Sequence, residues 1–228
     1  MIVHVEGAGP ALVVLQGGPG LTSRSVAPIA ERLQDDFRVI RFEHTAWNVR
    51  DILDQMDAVR SDLGEERWFV LGHSWGAALA SLYATAFPER VRALVLAHPL
   101  EISTAFCDPG DDALCGGDEQ FAAEHDADVA AMLWEDLEAT CPDATGEGYD
   151  LAPVARQIIA PALVLLGERD AIDHRSGQRW AELTSARLIS MPGAGHWSFL
   201  ERPAEFQSAV TEFLMSHGAR RAMTAAVA

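Results

Sequence analysis

Residues 71–79 read LGHSWGAAL, which sets Ser74 between Gly72 and Gly76, after the apolar run RWFVLG and before the alanine-rich AALASLYATA. A strand that ends in Gly-x-Ser-x-Gly and turns at once into a helix holds its serine on a sharp, strained bend. The flanking glycines carry no side chain, so strand and helix can approach closely. The hydroxyl is then exposed, and the backbone N–H of Trp75 points into the same space. A hydroxyl at its normal pKa is a poor nucleophile. It needs a base, and the base needs a third group to orient it.

Two loops offer these partners. GERDAID (167–173) carries Asp170, three residues past Gly167, and PGAGHWSFLERP (192–203) carries His196. Each loop follows an apolar run, and the chain order is Ser, Asp, His. Glu168 and Asp173 are alternative acids, with Asp170 favoured by its place just beyond the strand end. Acyl transfer also requires two preorganised donors for the developing oxyanion. One is the N–H of Trp75. LQGGPG (15–20) follows an earlier apolar run, and its consecutive glycines let the backbone turn toward a substrate. The N–H of Gly18 is the expected second donor, with Gln16 and Gly17 beside it.

His73, next to the nucleophile, is expected to pack beneath the turn, whereas His4, His125, His174 and His217 read as surface residues. His44 and His98 stand at the ends of two strands and are candidates for lining the pocket, together with Glu43, Trp47, Trp134 and Trp197. This constellation calls for no cofactor and no metal. Cys107, Cys115 and Cys141 fit neither a zinc site nor a complete disulfide framework. Their spacing leaves open one bridge, Cys107–Cys115. DPGDD (108–112) lacks a complete calcium-ligand loop.

Groups so far apart in sequence require a scaffold that gathers strand ends. IVHVEG (2–7), ALVVLQ (11–16), FRVIRF (37–42), RWFVLG (67–72), VRALVLA (91–97), ALVLLG (162–167) and ARLISM (186–191) read as strands. Between them, helical spacing recurs at 25–34, 49–64, 75–87, 175–184 and 204–216. In 49–64, Ile52, Met56, Val59 and Leu63 share one face and Gly64 is the stop. Strands apolar along their whole length, with helices between, predict an α/β fold with a mostly parallel, doubly wound sheet. In such sheets ligands bind beyond the carboxyl ends of the strands, where Ser74, Asp170 and His196 are all placed. A core of 1–99 and 162–217 is expected, with a short, mainly helical acidic lid at 100–161 and a frayed tail at 218–228.

Charge supports that division. The chain of 228 residues carries −17 and has no lysine. Residues 101–150 hold 15 of its 34 acidic residues and no arginine, so nearly all the net charge lies in the insertion. Nucleic acid and anionic membranes are poor partners for such a surface. No apolar run reaches the ~20 residues that span a bilayer, and MIVHVEG lacks a basic start, so a cytoplasmic location is expected. The expected partner is a small-molecule substrate. Asp118, Glu119, Glu135 and Asp136, beside Met132, Leu133 and Trp134, could hold a free amine on it. Oligomeric state is not encoded in any of these patterns.

QGGPG, GHSWG, GERD and GAGHWSFLERPAEF, in that order, resemble the α/β-hydrolase superfamily, and specifically its prolyl-iminopeptidase-like branch, which typically carries HGGPG and G-x-S-W-G. The similarity covers residues 2–100 and 160–216. It implies that Ser74, Asp170 and His196 form the triad and that Gly18 and Trp75 form the oxyanion hole. Some positions depart from the family pattern. Gln16 replaces the usual histidine before the double glycine. A motif resembling D-x-R-G-x-G-x-S is absent, and FEHTAWNVRD puts Glu43, His44 and Trp47 in its place. The first strand of the larger hydrolases and the cap motif that recognises a free amino terminus are also missing.

The leading expectation is a serine hydrolase that cleaves a small ester, thioester, lactone or aminoacyl amide through an acyl-enzyme. Acyl transfer to an amine or alcohol, including cyclisation, is a variant of it. A lyase or isomerase that moves a proton in the same pocket is the reading from another class, and a non-catalytic binding protein is a third. Labelling of Ser74 by a fluorophosphonate separates the first from the others.

Overall fold

The computed structural model describes residues 1–104, 127–142, 148–172 and 174–218. Cys107, Cys115, the 108–112 segment, Asp118, Glu119, His125 and Asp173 lie outside the described residues.

The chain alternates as expected: β1 (Val3–Glu6), β2 (Ala11–Leu15), α1 (Ala27–Leu33), β3 (Arg38–Phe42), α2 (Val49–Asp62), β4 (Trp68–His73), α3 (Trp75–Ala86), β5 (Val91–Ala97), α4 (Ala127–Thr140), α5 (Ala152–Ala155), β6 (Ala162–Gly167), α6 (His174–Thr184), β7 (Arg187–Met191), α7 (Ser198–Glu201) and α8 (Pro203–Gly218). The strands form one sheet in the order β1-β3-β2-β4-β5-β6-β7. All neighbours are parallel except β1, which runs antiparallel to β3 with Val3 opposite Phe42.

Alternating side chains of each strand go to opposite faces, and both faces are covered. Leu12, Val14, Phe69, Leu71 and Leu165 pack with Ile29 and Leu33 of α1 and Phe206, Val210 and Leu214 of α8. Val13, Leu15, Val70, Leu96 and Val164 pack with Ile52 and Met56 of α2, Leu79 and Tyr83 of α3, and Trp180 of α6. This double burial explains why β2, β4 and β6 show no polar alternation, since every residue in them is buried. The two edge strands differ. Val3 and Val5 of β1 and Leu188 of β7 are exposed.

α2 begins at Asn48, whose side chain accepts the Asp51 N–H at 2.8 Å, the arrangement that satisfies an otherwise unpaired N-terminal donor. Just past its end Gly64 adopts φ +74°, the left-handed conformation that glycine reaches without steric cost.

The described part of the 100–161 insertion is joined to the core. Leu133 and Leu137 of α4 and Leu151 and Ala155 are buried in the same cluster as α2 and α3. Trp134 stacks on Tyr149 with ring centroids 6.0 Å apart, and the Val49 N–H at the start of α2 donates to the Asp136 carboxylate. Among the described residues no helix is long and apolar enough to cross a membrane.

Candidate active site

β4 is central, between β2 and β5, and its carboxyl end passes directly into α3 through Ser74. Ser74 has φ +56° and ψ −122°, a strained conformation for a residue with a side chain. It is held there by a hydrogen bond from its N–H to the Ala97 carbonyl at 3.0 Å and by the Ala77 N–H donating to its carbonyl at 2.8 Å. The flanking glycines are sterically required. A Cβ on Gly72 would lie 2.0 Å from the Gly76 carbonyl oxygen, and one on Gly76 would lie 2.5 Å from the carbonyl oxygens of Leu15 and Gln16. The helix start is thus wedged against both β4 and β2.

Asp170 and His196 come from the loops after β6 and β7. The His196 Nδ1–H donates to Asp170 Oδ1 at 3.0 Å. His73 lies under the turn, fully buried, and its Nε2–H donates to the His196 carbonyl at 2.9 Å. Its ring is 4.8 Å from that of His196 and 4.6 Å from that of Trp197. One histidine therefore ties the serine turn to the loop that carries His196. The two other acids have different places. Glu168 accepts the Gly193 N–H at 2.8 Å and braces the His196 loop, and Asp173 lies outside the described residues.

His98 does not line an open pocket. It is fully buried behind Asp170, with Nδ1 2.7 Å from Asp170 Oδ2 and Nε2 2.5 Å from Ser198 Oγ. The Ile172 N–H adds a third bond to the carboxylate, to Oδ1 at 3.1 Å. Burial alone would raise the pKa of Asp170, but the bonds from His196 and His98 hold it far below the usual carboxylate range. Asp170 is therefore an anion that only accepts. Both Nδ1 atoms facing it carry protons.

His98, Asp170 and His196 place one ligand-type atom each within 4.8 Å of one another. Those nitrogens are already spent as donors to the carboxylate, so the arrangement suits proton positioning better than metal ligation.

The Gly17–Gly20 loop lies against Ser74. A Cβ on Gly17 would be 3.2 Å from Ser74 Cβ, and Gly18 adopts φ +110°. Trp75 is the first residue of α3 and is buried, and the leading N–H groups of a helix have no intrahelical acceptor. Glu43 clamps the segment that follows the loop. Its carboxylate accepts the Ser23 N–H at 3.1 Å and the Ser23 hydroxyl at 2.5 Å. Arg41 holds the Ser23 carbonyl at 2.9 Å and pairs with Glu6 at 2.7 Å. Gln16 is buried and its amide contacts His44 Nε2 at 2.7 Å. His44 in turn meets the Trp75 ring edge-on at 5.7 Å. Trp47 is 58% exposed, in a surface groove with Asn48, Asp51 and Gln55. Trp134 and Trp197 are half-buried.

Sequence reasoning missed Ser198, Ser23 and the bracing role of His98. A serine two residues after His196 was visible, but its partner was not.

The buried histidines predict acid sensitivity. Burial holds His73 well below the ordinary imidazole value of 6.5, and holds His98 and His44 below it as well. A folded-state pKa below the unfolded one means that the unfolded chain binds the proton first. Stability is then full above pH 6.5 and is lost as pH falls through that value. Each such histidine contributes a slope of up to ~1.4 kcal/mol per pH unit, and Asp170 acts in the same direction at lower pH. Thermal melts from pH 7.5 to 5 should show a steep fall in Tm, and a flat profile would contradict it.

A strained serine at the turn from a central strand into a helix, with an acid and a histidine at later strand ends, defines the α/β-hydrolase arrangement. A family model of the alpha/beta hydrolase fold matches residues 10–146, and the chain belongs to that family. It is similar to a proline iminopeptidase of Heyndrickxia coagulans at 20% identity, over 92% of each chain. It is also similar to a pimeloyl-[acyl-carrier protein] methyl ester esterase of Nitrosomonas europaea at 29% identity, over 90% of this chain and 97% of that one. Among solved structures, a proline iminopeptidase from Mycobacterium smegmatis superposes with a TM-score of 0.75 at 24% identity, covering 94% of both chains. An enol-lactonase from Burkholderia xenovorans LB400 gives 0.74 at 19% identity, covering 94% and 96%. The chain is a hydrolase of the α/β fold.

Proposed function

We propose that this protein is a serine hydrolase that opens a small ester, thioester, lactone or aminoacyl amide through an acyl-enzyme. The observation that carries this reading is the union of a strained Ser74 with an Asp170–His196 pair at the same end of the sheet. Ser74 Oγ attacks the carbonyl carbon and His196 Nε2 takes its proton. Asp170 orients the imidazole and stabilises its charged form. The N–H groups of Gly18 and Trp75 receive the oxyanion. The imidazolium then protonates the leaving group, and water activated by His196 releases the acyl group. The relatives named above act on peptide, ester and lactone carbonyls by their names, which supports a carbonyl substrate and fits a water acceptor. A fluorophosphonate should label Ser74, and mass spectrometry of enzyme treated with p-nitrophenyl acetate should show a transient acetyl adduct on it. Turnover without either adduct would overturn the acyl-enzyme route in favour of proton transfer.

The acidic insertion bears on the acyl group. Asp136 is committed to the start of α2, which removes it from the carboxylates available for a substrate ammonium. Among the described candidates Glu135 remains exposed, next to half-buried Trp134. A matched pair of aminoacyl esters, one with a free α-amine and one N-acetylated, tests the role. A held ammonium should raise kcat/KM for the free amine by at least about tenfold, or ~1.4 kcal/mol, and Glu135→Gln should reduce that preference. Equal rates would leave the acidic segment as a solubilising surface.

A further inference from the structure

The reading of Ser74, Asp170 and His196 as a triad leaves His98 unexplained. This histidine is fully buried, and burial of an unneeded imidazole is costly. Its backbone is also in an unfavourable region, with φ +49°, where residues with a Cβ are uncommon and asparagine is among the better tolerated. The strain is maintained by its surroundings, with the His98 N–H donating to the Leu165 carbonyl at 2.8 Å. Strain of this kind collects at functional sites, and the inference runs from the outlier to the function.

We propose that His98 is a positioning residue for the catalytic carboxylate. Its Nδ1–H, given to Asp170 Oδ2 at 2.7 Å, fixes the plane of the carboxylate so that Oδ1 faces His196 Nδ1 at 3.0 Å. An aspartate with one histidine partner can turn about its terminal torsion, which is broad and soft. An aspartate gripped by a histidine on each oxygen cannot. The two histidines are not equivalent. His196 retains some side-chain exposure, at 10%, whereas His98 has none, and its Nε2 meets Ser198 Oγ at 2.5 Å. His98 therefore cannot act as the base.

The protons are also determined. A carboxylate only accepts, so His98 carries its proton on Nδ1. Burial keeps the ring neutral, so Nε2 accepts the Ser198 O–H. Ser198 thus holds the His98 ring by its second nitrogen, His98 holds the carboxylate, and the carboxylate holds His196. Ser198 follows His196 by two residues and opens α7, so the loop that carries the base also carries the group that starts this relay of orientations.

The test uses the full-length chain, p-nitrophenyl acetate as substrate and three replacements at 98. His98→Gly removes the ring and relieves the positive φ. His98→Leu removes both ring nitrogens while keeping apolar bulk, and His98→Asn keeps a donor near the Nδ1 position on a residue that tolerates this backbone. In His98→Gly and His98→Leu kcat should fall by about 10²-fold, the scale of a displaced catalytic group, with KM changed by less than about threefold. His98→Asn should recover to within about tenfold of wild type. The downfield proton NMR line of the His196–Asp170 hydrogen bond should move or vanish in the glycine variant and persist in the asparagine variant. Ser198→Ala, a smaller lesion, should lower kcat in the same direction and provides the readout should the glycine and leucine variants not fold. Wild-type kcat in a folded His98→Gly or in Ser198→Ala would overturn the proposal, as would an asparagine variant no better than glycine. Failure of a fluorophosphonate to label Ser74 in the unaltered protein would instead overturn the triad reading. Labelling together with unimpaired variants would remove only the role of His98.

Discussion

Ser74→Ala should lower kcat by about 10³–10⁶ while leaving the fold intact, because the hydroxyl is a small group on a half-buried turn and the groups around it remain. His196→Ala and Asp170→Asn should cost similar factors, and the double variants should lose little more than the singles. Residues that act as one unit are strongly non-additive. Asp170→Asn has a further reason to be severe here. The carboxylate receives bonds from His196, His98 and the Ile172 N–H, and an amide nitrogen turned toward any of these would face a donor. Steady-state kinetics on p-nitrophenyl acetate decide the matter. Near-wild-type turnover in Ser74→Ala would remove the acyl-enzyme and leave proton transfer as the chemistry.

Gly76→Ala is the second large effect, and it acts through packing. The added methyl would sit 2.5 Å from two backbone oxygens, those of Leu15 at the end of β2 and of Gln16 just past it. These atoms belong to a central strand and its exit loop, so neither can rotate away as a flexible side chain would. The start of α3 must lift, carrying Ser74 and the Trp75 N–H off the Gly17–Gly20 loop, or β2 must shift in the sheet. Overpacking of a tight site typically costs 1–3 kcal/mol, and the displacement of the donors adds its own loss of rate, on the order of 10². A lowered Tm together with kcat reduced by at least that factor is the expected result. Gly18→Ala makes the comparison. Its site demands φ +110°, but it lies in an exit loop and not under a helix, so catalysis should suffer more than stability. A fully active, fully stable Gly76→Ala would show that the turn has room which the coordinates deny.

The parts of the site that were legible in the sequence are those fixed by local sterics. Glycine on both sides of Ser74 and a glycine pair before Pro19 follow from how closely chains must approach, and such demands leave the same residues wherever the turn is built. The strands were legible because burial on both faces removes polar positions. The same signal failed at the edges, since Val3, Val5 and Leu188 read as interior residues and are exposed. An apolar residue does not record how many neighbours its strand has. His98 was legible only as a histidine at a strand end, because its role depends on β5 lying beside β6 and on Ser198 arriving from beyond β7. Glu43 and Asp136 show a similar limit. Each was read as facing a substrate, and each accepts a backbone N–H from the protein, from Ser23 and Val49 respectively. The identity of an acid does not reveal which donor it meets.

The strand order bears on when the protein becomes active. Ser74 leaves β4 in the middle of the sheet, Asp170 follows β6 and His196 follows β7, at the sheet's edge. On the proposed mechanism, the serine turn can therefore form between β2 and β4 before His196, the proposed base, has been made. Parallel pairings between distant segments form slowly, because loop closure is disfavoured until the contacts it permits are made. If His196 is the base, a chain emerging from the ribosome would carry an inert Ser74 until β7 docked. In refolding, helical signal should return ahead of any hydrolytic turnover, so the appearance of turnover times the closing of the sheet's far edge.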